Sequence, residues 1–224
     1  MKLIDEKQKI YLLENFYFDF PSLDMMGGDL VAVGGNLHPH RIINAYYSGI
    51  FPWFMDDHGW IHWFSPKKRM VLRPHELRVT KSLKRTVKNK GFVVKTNENF
   101  EKVIQNCATI KRDHEDSSWI NNDFMEAYTE LFHLGYAYSI ETYLDGELVG
   151  GLYGLMIGNI FCGESMFSKV KDASKVAFYH LCNQAQQNEI ELIDCQVYNP
   201  HLESLGAYEI DREEYFELLQ KYST

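Results

Sequence analysis

The stretch Leu148–Ser168, LVGGLYGLMIGNIFCGESMFS, constrains the fold of this chain more than any other. It is apolar or small almost throughout, and Gly158-Asn159 interrupts it as a two-residue turn. Before it, Tyr136–Leu144 alternates loosely, and Asp145-Gly146 is a second hairpin signal. The pattern predicts three antiparallel strands, 136–144, 148–157 and 160–162, with Glu164 at the end of the third. A helical pattern begins at Asp172 or Ser174, with Ala177, Phe178, Leu181, Cys182 and Ala185 as its buried stripe. Then Ile190–Val197, IELIDCQV, reads as one more apolar strand. Asp194 and Gln196 lie inside it, where core residues are expected. Strand residues two apart share a face, so these two point one way and Cys195 the other. Natural sequences tend to break local rules of this kind at functional sites.

The chain has 224 residues, enough for one large domain or for a small and a medium one. The best boundary is near Ser65-Pro66, giving domains 1–65 and 66–224. No apolar run approaches the ~20 residues of a membrane span, and MKLIDEKQKIYLLENF lacks the core of a signal peptide. The four cysteines, Cys107, Cys162, Cys182 and Cys195, form no CxxC pair and read as buried thiols in a reducing cytoplasm. The net charge of -8 argues against a nucleic-acid partner until its distribution is considered. Lys67–Lys95 holds eleven Lys or Arg and one acid, Glu76, a local charge of +10, which leaves -18 for the remainder. Such asymmetry fits a basic patch that holds a phosphate backbone, or else a solvated charged face.

Residues 1–20 read as a short amphipathic or irregular lead-in. Leu30–Val33 is a short strand, and Pro39 opens a helix that Gly49 stops, with Ile42, Ile43, Ala45 and Tyr46 inward. Two aromatic runs follow, GIFPWF and Trp60–Phe64. Core packing explains most of these rings; Trp53, after the stiff Pro52, is the candidate platform for a nucleobase. Thr80 caps a helix to about Asn89 that carries Lys81, Lys84, Arg85 and Lys88 outward. Further helices are expected over 99–109, 123–134 and 213–222, and strands over 92–95 and 208–210. No metal is expected, since His38-Pro39-His40 lacks a third ligand nearby. There is no Walker loop, and GGLYG is not a dinucleotide fingerprint.

The strand–strand–strand–helix–strand order resembles the core of the GCN5-related acyltransferase (GNAT) fold. A sharper resemblance rests on VGGNL, AYYSGIFPW, WFSP, Ser118-Trp119-Ile120, GGLYG, FCGESMFS, Asp172-Ala173-Ser174-Lys175, LIDCQV and HLESLGA. In that order, over most of the chain, these runs resemble the leucyl/phenylalanyl-tRNA–protein transferase family. Asn36, Lys67-Lys68-Arg69 and Asn121 depart from the family pattern, none of them at the polar pair.

The resemblance implies an α+β protein, a small N-terminal α/β domain plus a GNAT-like domain with a mixed, mainly antiparallel sheet. It implies a cytoplasmic aminoacyltransferase without a cofactor. Such an enzyme moves Leu or Phe, and also Met, from aminoacyl-tRNA to proteins with N-terminal Arg or Lys, marking them for degradation. Asp194, Gln196 and Glu164 match catalytic positions of the family, and the chemistry independently suggests that Asp194 polarises Gln196, whose carbonyl draws a proton from the incoming amine, while Glu164 orients the donor or acceptor amine. Trp53 and Trp119 would sandwich the 3′ adenosine. Tyr128, Phe161, Met166 and Ile193 would form the aminoacyl pocket, and Lys81, Lys84, Arg85 and Lys88 would meet the tRNA backbone. An acetyl-CoA-dependent N-acetyltransferase and a non-catalytic RNA-binding module are the rivals. The first lacks a pyrophosphate loop around Val170–Ser174, and the second leaves the polar pair without a role.

Overall fold

The computed structural model describes residues 1–16, 19–110, 120–185 and 189–223. The first sheet is built from β1 (Lys2–Asp5), β2 (Ile10–Leu13), β3 (Leu30–Gly34), β4 (Phe51–Met55) and β5 (Ile61–Phe64), with α1 (Pro39–Tyr47) between β3 and β4. Its strand order is β1-β2-β3-β5-β4. The expected irregular lead-in is instead the hairpin β1–β2. The Asp5 carboxylate closes its turn by accepting from the Lys7 and Gln8 amides, and β2 then adds parallel to β3. Charged residues in that turn hide two short strands in the sequence.

The second sheet begins at Lys68. It contains β6 (Lys68–Leu72), β7 (Val93–Thr96), β8 (Ala137–Leu144), β9 (Glu147–Ile157), β10 (Ile160–Ser168), β11 (Leu192–Gln196) and β12 (Tyr208–Asp211). Their order is β12-β6-β11-β10-β9-β8-β7. Among the described residues only β10 and β11 pair in parallel in this sheet, so it is mixed and mainly antiparallel, as expected for a GNAT-like arrangement. The hairpin turns fall where the sequence puts them, with Asp145, Gly146 and Gly158 all at positive φ.

The helices are α2 (Lys81–Asn89), α3 (Phe100–Thr109), α4 (Asn122–His133), α5 (Ala173–Ala185), α6 (Pro200–Ser204) and α7 (Arg212–Tyr222). Side-chain caps fix several of their starts. Thr80 Oγ1 accepts from Leu83 N, Asn121 Oδ1 from Phe124 N, and Asn199 Oδ1 from His201 N. One face of the large sheet packs against α3 and α4, and the other against α5, with α2 outside α5. The apolar cluster under α3 and α4 continues into the first sheet through Ile42, Ala45 and Tyr46 of α1 and through Trp63. The N-terminal sheet is thereby joined to the large one by shared core rather than by a linker.

Glycines in β9 let α5 and β10 come close. A Cβ on Gly150 would lie 2.5 Å from the Ala173 Cβ, and one on Gly154 would run into the Cys162 carbonyl oxygen and the Phe161 ring. A backbone carbonyl in a paired strand cannot swing aside. Gly154→Ala is therefore expected to cost about 1–3 kcal/mol of stability, read as a lower urea midpoint. Gly163→Ala, whose Cβ would lie 3.6 Å from its nearest neighbour, should cost less.

Candidate active site

Two β-bulges build the site. Along β10, Gly163 pairs with Gly154 and Ser165 with Tyr153, so Glu164 is the extra residue. The strand was expected to end near Glu164; it continues to Ser168, because the bulge absorbs the break in pattern. A bulge re-aims its side chain, and Glu164 meets α1 and α4. Tyr46 donates to Glu164 Oε1 at 2.5 Å and Tyr128 to Oε2 at 2.9 Å, with the two hydroxyls 3.0 Å apart.

Along β11, Asp194 pairs with Val71 and Gln196 with Met70 of β6, leaving Cys195 as the extra residue. Gln196 takes a φ of +65°, a left-handed conformation that stores strain in a non-glycine residue. Asp194 Oδ1 steadies it by accepting from the Gln196 amide N–H at 2.8 Å, and Gln196 Nε2 donates to Glu164 Oε1 at 2.8 Å. The expected link from Asp194 to the Gln196 side chain is thus a link to its backbone, since the bulge turns that N–H toward the carboxylate.

The rest of the Asp194 carboxylate faces a buried cation. Arg69 Nε donates to Oδ1 at 2.8 Å and Arg69 Nη2 to Oδ2 at 2.6 Å, while Tyr215 of α7 donates to Oδ2 at 2.8 Å. Arg69 is 1% exposed and Asp194 fully buried. The guanidinium lies between the rings of Phe51 and Tyr215, 4.8 and 4.5 Å from their centroids. Burial works against the Arg69 charge, but the Asp194 carboxylate outweighs it and raises the guanidinium above its ordinary value.

Among the described residues no cation touches Glu164. Burial pushes its carboxyl up to about 7, against the pull of the hydrogen bonds from Tyr46 and Tyr128. Burial, then the Glu164 charge, raises both phenols well above their ordinary value, so they stay donors at neutral pH.

A cavity of about 280 Å3 opens on Glu164 and Gln196. Phe161, Met166, Ile193 and Trp53 are on its wall, and Trp53 is half-buried and edge-to-face with Phe64 at 4.8 Å. Tyr128 is fully buried and bonded to Glu164, and it is not on the cavity wall where the aminoacyl pocket placed it. Lys81, Lys84, Arg85 and Lys88 are exposed on α2. Trp119 lies outside the described residues. Among those residues no cluster of His, Cys, Asp or Glu is placed to hold a metal, and no helix is long and apolar enough to cross a membrane.

Sequence reasoning missed Tyr46, Arg69 and Tyr215. Tyr46 falls on the inward face of α1, where a ring reads as packing, and Arg69 falls within the basic segment. Its one local signal is a cation at the start of the apolar run Met70–Leu72.

Residues 71–220 match the family model described as leucyl/phenylalanyl-tRNA protein transferase, and residues 35–67 match the model for its N-terminal domain. A leucyl/phenylalanyl-tRNA–protein transferase of Flavobacterium johnsoniae is 48% identical over 210 residues, covering 94% of this chain and 98% of the relative. One of Nitrosospira multiformis is 50% identical over 192 residues, covering 86% and 82%. The crystal structure of FemX shares the fold at a TM-score of 0.54 and 10% identity, over 80% of this chain and 70% of that one.

Removing one partner of the buried pair leaves an uncompensated charge. Arg69→Met is expected to cost about 3–5 kcal/mol, measured by chemical unfolding. Adding Asp194→Leu should restore part of the loss, because no charge is then buried alone.

Proposed function

The chain belongs to the leucyl/phenylalanyl-tRNA–protein transferase family and is an aminoacyltransferase, and on that premise we propose its substrates and the roles of its residues. The donor is tRNA carrying Leu, Phe or Met. The acceptor is the α-amine of a protein beginning with Arg or Lys, which the transfer marks for degradation in the cytoplasm. The change of sheet between Phe64 and Lys68 supports a division into domains 1–65 and 66–224.

The observation that carries the reading is one cavity with three kinds of wall. Its apolar part, with Phe161, Met166 and Ile193, suits an unbranched or γ-branched side chain. Glu164 and Gln196 supply the polar groups that an amine needs. Trp53 on the wall supplies a stacking face for the terminal adenine, and the family resemblance pairs Trp119 with it. The basic face of α2, with Lys81, Lys84, Arg85 and Lys88, then meets the tRNA backbone.

The ester that joins an amino acid to tRNA is already an activated acyl donor. The acceptor nitrogen attacks its carbonyl carbon, a C–N bond forms, and the ribose oxygen leaves. Holding nitrogen and carbonyl in line supplies much of the acceleration. Gln196 has Nε2 committed to Glu164, so its oxygen is the end that accepts from the incoming amine. Asp194 acts through the Gln196 backbone as a positioning residue, and Glu164 orients the amine.

The deciding experiment incubates the protein with radiolabelled Leu-tRNA and a protein beginning with Arg, with and without ribonuclease. Label should reach the acceptor only while the tRNA is intact. Label transfer from acetyl-CoA instead would overturn the reading. Trp53→Ala should weaken donor binding by the ~1–3 kcal/mol of one stacked base, measured as a rise in donor Kd. Asp194→Asn, with folding checked by circular dichroism, should lower turnover far more than donor affinity.

A further inference from the structure

We propose that Glu164 carries the proton in the transfer: Oε2 takes it from the attacking amine and returns it to the departing ribose oxygen, with Tyr46 and Tyr128 as positioning residues. This rests on the aminoacyl-transfer reading above and adds the route of the proton to it.

The two carboxylates of the site differ in how their oxygens are occupied. An ionised carboxylate offers about four acceptor positions, two on each oxygen. On Asp194, Oδ1 accepts from Arg69 Nε and the Gln196 amide, and Oδ2 from Arg69 Nη2 and Tyr215. That fills all four and leaves no acceptor position open. On Glu164, Oε1 accepts from Tyr46 and Gln196, and Oε2 from Tyr128 alone among the described residues. One acceptor position therefore remains on Oε2, and the residue lies on the cavity wall. Gln196 can accept a hydrogen bond from the amine, but an amide oxygen is too weak a base to keep the proton.

The step balances. The amine nitrogen forms its bond to the carbonyl carbon and becomes positively charged. Its proton passes to Oε2. The C–O bond to the ribose breaks with its electron pair on oxygen, and the same proton moves from Oε2 to that oxygen. Glu164 ends as it began.

The groups that face Glu164 set its proton affinity. Tyr46 comes from α1, and Tyr128 from α4 with Tyr153 of β9 beside it. Cys162 lies on the same strand, and Asp194 and Arg69 lie across β11 and β6. Burial and the Asp194 charge favour the protonated form; the tyrosine donors and Arg69 favour the ionised form. Tyr153, Asp194, Cys195 and His201 are the other titratable side chains on the cavity wall; burial holds the Cys195 thiol well above its ordinary value and lowers the affinity of His201 for a proton.

The test is the single-turnover rate of leucine transfer against pH, at saturating donor and one fixed acceptor. The rate should rise through the neutral range as Glu164 ionises. Tyr46→Phe removes a donor to the ionised form, so the midpoint should move to higher pH by about one unit, with the rate recovered on the alkaline side. A merely structural loss would lower the rate at every pH. Glu164→Gln should abolish the limb and slow transfer about a hundred- to ten-thousand-fold while donor Kd stays within a few-fold. The proposal is overturned if Tyr46→Phe leaves the midpoint in place, as it would if His201 or the acceptor amine were the titrating group. It is equally overturned if Glu164→Gln transfers within a few-fold of the wild-type rate. A wild-type protein that transfers no leucine at any pH would instead overturn the function itself.

Discussion

The buried contact between Arg69 and Asp194 is the constraint on which the rest of this structure depends. Taking two charges out of water is costly, and the cost is offset only by good geometry and further hydrogen bonds. Here both are present: a two-pronged guanidinium–carboxylate pair, rings on either side of the cation, and two more donors on the anion. The pair also ties together parts of the chain that are distant in sequence. Arg69 lies on β6, Asp194 on β11, Tyr215 on α7 and Phe51 on β4, and Arg69 Nη1 reaches the Gly49 carbonyl. It holds the bulge that gives Gln196 its unusual backbone, and through Gln196 it reaches Glu164.

The site thus separates two carboxylates by environment. Asp194 sits beside a fixed cation, and four donors occupy its two oxygens. Glu164 sits among neutral hydroxyls and an amide, where the carboxyl is poised between its two states near 7. Pairs of acids set apart in this way are a recurring way to obtain both a fixed charge and a mobile proton within one pocket.

Much of this was legible in the sequence, for identifiable reasons. The meander of β8, β9 and β10 announces itself through its turns, and the helices through caps and apolar stripes. The pairing partners and the bulges were not legible. The residues of GES look like the end of a strand until β9 shows that Glu164 has no partner there. Arg69 stands beside Lys68, and only its place against the apolar run Met70–Leu72 distinguishes it locally. One pairs on the surface with Asp211, while the other is enclosed by a residue 125 positions away. The basic excess of Lys67–Lys95 is accordingly smaller at the surface than the count implies, since Lys68, Arg69 and Lys95 all have acidic partners. Asp194 and Gln196 stood out because they broke an apolar run, and Tyr46 did not because an aromatic ring on a helix face fits packing equally well.

Tyr46 and Tyr215 come from opposite ends of the sequence and converge on the same few ångströms. During synthesis, the half of the chain that leaves the ribosome first has the Tyr46 hydroxyl but no carboxylate for it to meet. Asp194 gains its Tyr215 donor only when α7 emerges. The site is therefore assembled late, and a translation product cut short before α7 lacks one of the donors that hold it in shape.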